Sequence, residues 1–193
     1  METFTLKTFN LPELNGIGAK NIEEHLKLYK GYVTNANLII SKIKELSLDE
    51  EKNAYILGEL QRRFSFEFNG MRNHEYYFSQ FEGGAKPLTE NGLKEMLTKQ
   101  WGSYEMWLTR FKAVAMTRGV GWAMLYYDQA SGNLVNQWVD EQHLGQLIGI
   151  TPILALDMWE HAYVYDYPTS EKKKYIEAFF NNLNWEIIEQ RAK

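Results

Sequence analysis

The sequence has no cysteine. That excludes disulfides, thiolate metal ligands and cysteine nucleophiles. Histidine is scarce as well: His25, His74, His143 and His161 are the only four, so any imidazole chemistry must come from that short set. No apolar run reaches the roughly 20 residues of a membrane span. Nor is there a surplus of positive charge, since 21 Lys and Arg face 25 Asp and Glu for a net charge of −4. Neither a nucleic-acid nor a membrane partner is expected. The opening Met1-Glu2-Thr3-Phe4 lacks a basic region followed by an apolar core, so no signal peptide is expected. Together with the missing cysteines, this fits a cytoplasmic location.

Aromatic residues are abundant: six Trp, twelve Tyr and ten Phe in 193 residues. That is enough for a substantial core and for pockets walled by rings. After a turn-rich start, Asn21 is placed to cap a helix beginning near Ile22 and ending near Leu46. Ile22, His25, Leu26, Tyr29 and Val33 recur along it at helical spacing. A turn at Ser47–Glu50 leads to a second helix reaching about Phe78. Leu57, Leu60, Phe64, Met71, His74 and Phe78 fall on one of its faces, with Gly70 as the expected bend. Glu82-Gly83-Gly84-Ala85-Lys86-Pro87 reads as a linker. Helices are expected over Thr89–Gln100 and Ser103–Met116. Strands follow at Gly121–Tyr127, Leu134–Val139 and Ile153–Leu156, then helices at Lys173–Asn182 and Trp185–Arg191. The class is α+β: an N-terminal antiparallel helical hairpin packed on a C-terminal α/β domain with a three-stranded antiparallel sheet. The expected domains are residues 1–82 and 88–193.

The third strand ends on Asp157, a carboxylate whose burial is costly unless its charge is compensated. His161 follows four residues later and can converge on it if the chain turns into a helix. A buried ion pair or a metal site would both satisfy Asp157. His25 and His74 lie on apolar helix faces, where a histidine is either a hydrogen-bonded core residue or a ligand. Three imidazoles and one carboxylate suit iron, manganese or zinc.

The wording around these residues is more specific. Asp157-Met158-Trp159-Glu160-His161-Ala162-Tyr163, Asn73-His74-Glu75-Tyr76-Tyr77-Phe78 and Gly119-Val120-Gly121-Trp122 resemble segments of the iron/manganese superoxide dismutase family. Gly83-Gly84, Trp101-Gly102-Ser103 and Asn184-Trp185 extend the resemblance over nearly the whole chain. It implies a superoxide dismutase with one Fe or Mn ion per chain, held between the two domains by His25, His74, Asp157 and His161. It implies superoxide as substrate and a homodimer. Gln142, or His143 beside it, would stand next to metal-bound solvent. Trp122 would line the pocket and Tyr32 its entrance, and Glu160 would cross the dimer interface. The alternatives are a protein of this fold with a structural or interaction role and a vestigial site, or another non-haem iron activity.

Three features depart from the family pattern. The segment from His25 to Tyr32 is one residue short, which makes Glu24 an alternative first ligand. Tyr29 and Val164 replace a histidine and a tyrosine that meet across the family's dimer interface. Phe78 stands where many members carry tryptophan.

Overall fold

The computed structural model describes residues 2–90 and 92–193. Helix α1 (Ala19–Leu46) and helix α2 (Glu50–Ser79) are joined by a 3-10 turn at Ser47–Asp49. Their 28 and 30 residues make rods of about 40–45 Å at the α-helical rise. Asp49 caps α2 by accepting the Lys52 N–H at 3.3 Å, and Glu50 and Glu51 fill its first turn, where the helix dipole favours acids.

The start of α1 differs from expectation. Gly18 is the N-cap, and Asn21 is buried within the first turn, donating to Asp166 Oδ2 at 2.9 Å. The physical reason is that Asp166 does the capping from across the chain. It accepts the Gly18 N–H at 2.9 Å, which frees Asn21 to enter the helix.

Between the hairpin and the rest of the chain, Gly83 and Gly84 take φ of 74° and 81°, values that favour glycine. Helix α3 (Leu93–Trp101) begins later than the expected Thr89, after Gly92 at φ 65°. Thr89 instead donates its N–H to Glu189 Oε1 at 3.0 Å, and Asn91 lies outside the described residues. Helix α4 (Tyr104–Ala115) is capped by Ser103, which accepts the Met106 N–H at 3.1 Å. Strands β1 (Gly121–Asp128), β2 (Asn133–Asp140) and β3 (Thr151–Asp157) form an antiparallel sheet in the order β2-β1-β3. Helices α5 (Lys172–Asn181) and α6 (Trp185–Arg191) close the chain. The arrangement is α+β, a long helical hairpin followed by a three-stranded antiparallel sheet with its helices.

Helix α2 packs against β3, while α3 and α4 lie against β1 and β2. The sheet register sets Trp122 opposite Asp157. Strand β3 is an edge, and its outward polar groups are satisfied by side chains. Gln80 donates to Ala155 O at 2.6 Å and accepts the Ala155 N–H at 3.4 Å, and Arg191 donates to Ile153 O at 3.0 Å. The middle of β3 is thereby tied to the C-terminal end of α2 and to α6. Among the described residues no helix is long and apolar enough to cross a membrane.

Candidate metal centre

Four side chains meet where the hairpin faces the sheet. His25 comes from α1, His74 from α2, Asp157 from the end of β3, and His161 from a 3-10 turn at Glu160–Ala162. That single 3-10 turn carries His161 back onto Asp157. One potential ligand atom from each residue lies within 4.8 Å of all the others. Asp157 Oδ2 is 3.1 Å from His25 Nε2, 3.1 Å from His161 Nε2 and 3.7 Å from His74 Nε2. His25, His74 and Asp157 are fully buried.

Hydrogen bonds fix the tautomer of His74. Its Nδ1 donates to Gly70 O at 2.6 Å, and a carbonyl only accepts, so Nε2 carries a lone pair. That nitrogen is buried without a hydrogen-bond partner among the described residues. It faces an acidic oxygen, so two electron-rich atoms point at one another, an arrangement that a cation relieves. Burial lowers the pKa of both His25 and His74, which keeps the imidazoles neutral and able to ligate. For Asp157, burial acts to raise the pKa, but the facing His161 and His25 outweigh it and hold the carboxyl below its usual range. The remaining atoms of Asp157 are anchored. Oδ1 accepts the Trp159 N–H at 2.9 Å and the main-chain carbonyl accepts from Tyr175 OH at 2.9 Å. Three imidazole nitrogens and one carboxylate oxygen fit a first-row metal of the iron, manganese or zinc kind.

Beside this cluster, Tyr32 and Trp122 pack on the His74 ring with centroid separations of 5.0 and 5.1 Å. Gln142, fully buried, bridges the two. Its Oε1 accepts from Trp122 Nε1 at 2.9 Å and its Nε2 donates to the Tyr32 hydroxyl at 2.9 Å. His143 points elsewhere, with its ring edge-on to Phe66 at 5.7 Å. Gly70 lies directly under Tyr32. A Cβ there would stand 2.5 and 2.6 Å from carbons of the Tyr32 ring, so no side chain fits at Gly70 while Tyr32 keeps its place.

The other sequence candidates lie outside the cluster. Glu24 turns to the helix surface, paired with Lys20 and, at 3.0 Å, with Lys27. Tyr29 is 1% exposed. Its ring stacks near His74 at 6.4 Å, and its hydroxyl lies 3.3 Å from Glu75 Oε1. Lys7 and Arg72 each hold Glu75 Oε2 at 2.8 Å. Phe78 packs edge-on against His25 at 4.9 Å. Glu160 is exposed, next to His161. Sequence reasoning gave no role to Tyr175 or Gln80, because each bonds to a main-chain group of β3, far away along the chain.

The family model for the C-terminal domain of iron/manganese superoxide dismutases matches residues 89–191. A protein of Aquifex pyrophilus named as an iron superoxide dismutase is 33% identical over 183 residues, covering 92% of this chain and 85% of its own. One from Cupriavidus metallidurans with the same name is 35% identical over 177 residues, 90% of this chain and 87% of its own. A manganese superoxide dismutase of Mycolicibacterium smegmatis is 33% identical over 177 residues, with 90% and 83% covered. The similarity takes in the hairpin as well as the sheet, so the chain belongs to the iron/manganese superoxide dismutase family.

Proposed function

We propose that this protein converts two superoxide radicals and two protons into dioxygen and hydrogen peroxide at a single iron or manganese ion. His25, His74, Asp157 and His161 would hold that ion. The observation that carries this reading is the unpartnered, buried Nε2 of His74 facing Asp157 within the four-residue cluster. Bound there, iron or manganese supplies one-electron chemistry by alternating between its +3 and +2 states.

The chain supplies the rest. An indole N–H only donates, so Trp122 forces Gln142 Oε1 to face it and turns Nε2 toward Tyr32. Burial raises the Tyr32 pKa, so its hydroxyl stays protonated at neutral pH. Its oxygen accepts from Gln142, which leaves its own proton to donate toward substrate. Tyr32 and Gln142 thus hold protons beside the His74 ring, where peroxide needs them. The surrounding rings keep the pocket small and exclude water. Arg63 stacks 3.7 Å above Phe66, itself beside Tyr32, and is paired with Glu67 Oε1 at 2.8 Å.

In this reading, residues 1–82 and 88–193 are two domains that clasp the ion between them. The hairpin supplies His25 and His74, and the sheet side supplies Asp157 and His161. A homodimer is supported by exposed Glu160 beside His161 and by Val164 and Tyr165, which are 48% and 57% exposed on the same segment. Sedimentation of wild type and Glu160→Ala tests the dimer.

The activity is tested on protein purified without added metal and then loaded separately with iron and with manganese. About one ion per chain with superoxide turnover is the expected result, and it names the metal. Full loading without turnover, or no retained metal, overturns the reading.

A further inference from the structure

The main chain of Gln142 is fixed by a set of bonds separate from those on its side chain. Glu141, just before it, has φ of 50°, the one left-handed non-glycine residue among those described. Such a backbone is costly and persists only where neighbours enforce it. Here the Glu141 N–H donates to Val120 O at 2.9 Å, and its carbonyl accepts from Trp159 Nε1 at 3.1 Å. The Gln142 carbonyl then takes two donors, Asn73 Nδ2 at 3.0 Å and Gln146 Nε2 at 3.4 Å. Gln146 Nε2 also donates to Asn73 Oδ1 at 2.9 Å, and Gln146 Oε1 accepts from the Tyr126 hydroxyl. Tyr126 is 1% exposed in β1, so this network ends on a ring packed within the sheet.

We infer that Gln146, anchored by Tyr126, is a positioning residue for Gln142. It sets where the Gln142 amide stands between Trp122 and Tyr32. An amide of this length accepts from Tyr126 at one end while donating to Asn73 and to the Gln142 carbonyl at the other. Asn73 adjoins His74 on α2, so Gln146 ties the loop carrying Gln142 to the helix carrying His74. Without Gln146, Asn73 Oδ1 loses its donor, and of the two donors on the Gln142 carbonyl only Asn73 Nδ2 remains. The catalytic consequence rests on the dismutase reading, whereas the geometric one does not.

Two variants test this. Tyr126→Phe removes one oxygen from a packed ring, and Gln146→Met removes the amide with little change in volume. Should Gln146→Met fail to fold, Tyr126→Phe carries the test alone. In metal-free protein, the indole N–H of Trp122 is followed by NMR, since it bonds to Gln142. In loaded protein, kcat, KM and the midpoint potential are measured. Both variants are expected to shift the Trp122 signal and speed its exchange with solvent. They should also move the potential and lower kcat about tenfold. The double variant should be no worse than Gln146→Met, because Tyr126 acts through Gln146. An unchanged indole signal and potential, or additive losses in the double variant, overturns the inference. A wild type without turnover, combined with the expected indole shifts, sinks the dismutase reading and leaves the positioning role standing.

Discussion

Helix α2 holds two glycines, Gly58 toward the tip of the hairpin and Gly70 beside the metal centre, and they do opposite things. A Cβ at Gly58 would meet nothing within 4 Å, whereas one at Gly70 would strike the Tyr32 ring. The difference extends to their surroundings. Near Gly70 the helix buries Glu67, Asn73, His74 and Glu75: Glu67 pairs with Arg63, Asn73 and Glu75 are bonded as described, and His74 faces Asp157. Near the tip, Leu48 and Tyr55 are 90% and 83% exposed, and Leu57 is the buried residue of the first two turns of α2. One end of the hairpin is specified by the elements packed around it. The other is specified by α1 and α2 alone, so it tolerates change.

The comparison breaks most visibly at Asp157. Asp157→Asn keeps the side-chain shape and the bond from Trp159 but removes the charge that faces three imidazoles. Metal retention should be lost, as read by metal analysis after loading. Gln142→Leu leaves Trp122 Nε1 and Tyr32 without their buried partner. Turnover should fall on the order of 10- to 100-fold while metal content holds, as measured by steady-state kinetics beside metal analysis. Gly70→Ala forces Tyr32 to move and should cost about 1–3 kcal/mol of stability, seen in denaturant unfolding. A Gly70→Ala protein as stable as wild type would show that the two ends do not differ as described.

A pH series sharpens the same contrast. Burial pushes Tyr29, near the centre, and Tyr163, on the segment after His161, up to about 12. Below an unfolded tyrosine value of about 10, both states keep their protons and stability is unaffected. From there upward the unfolded chain ionises first, so stability should fall between about pH 10 and 12. Tyrosinate absorbance should then rise together with the loss of tertiary circular dichroism. The smallest effect is expected at the tip. Gly58→Ala should stabilise by about 0.5–1 kcal/mol, because alanine limits the unfolded chain and meets no neighbour. Thermal melts of both glycine variants, run side by side, should show opposite signs.

Much of the fold was legible along the chain because it rests on local pattern. The apolar stripes on α1 and α2, the turn at Ser47–Glu50, the helix start at Ser103 and the Gly83-Gly84 break all act within a few residues. Where local reasoning failed, a distant partner had intervened. Asn21 looked like a cap, but Asp166 took that role. Thr89 looked like a helix start, but Glu189 holds it. At Gly70 local pattern gave no sign of the Tyr32 ring that lies against it.

The candidate site divides in the same way. Histidines on apolar faces and a carboxylate ending a buried strand are unusual enough in a sequence with four histidines and no cysteine to mark themselves. Residue types and their spacing by themselves determined the two helix faces, the strand and the chemistry available to them. Only the tertiary structure decided that Asp157 Oδ2 stands 3.1 Å from two imidazoles that are 136 positions apart in sequence. It also decided that Gln142, rather than His143, bridges Trp122 and Tyr32. The reason is physical: periodicity says which face a side chain occupies, but its hydrogen-bond partner comes from another element, placed by packing.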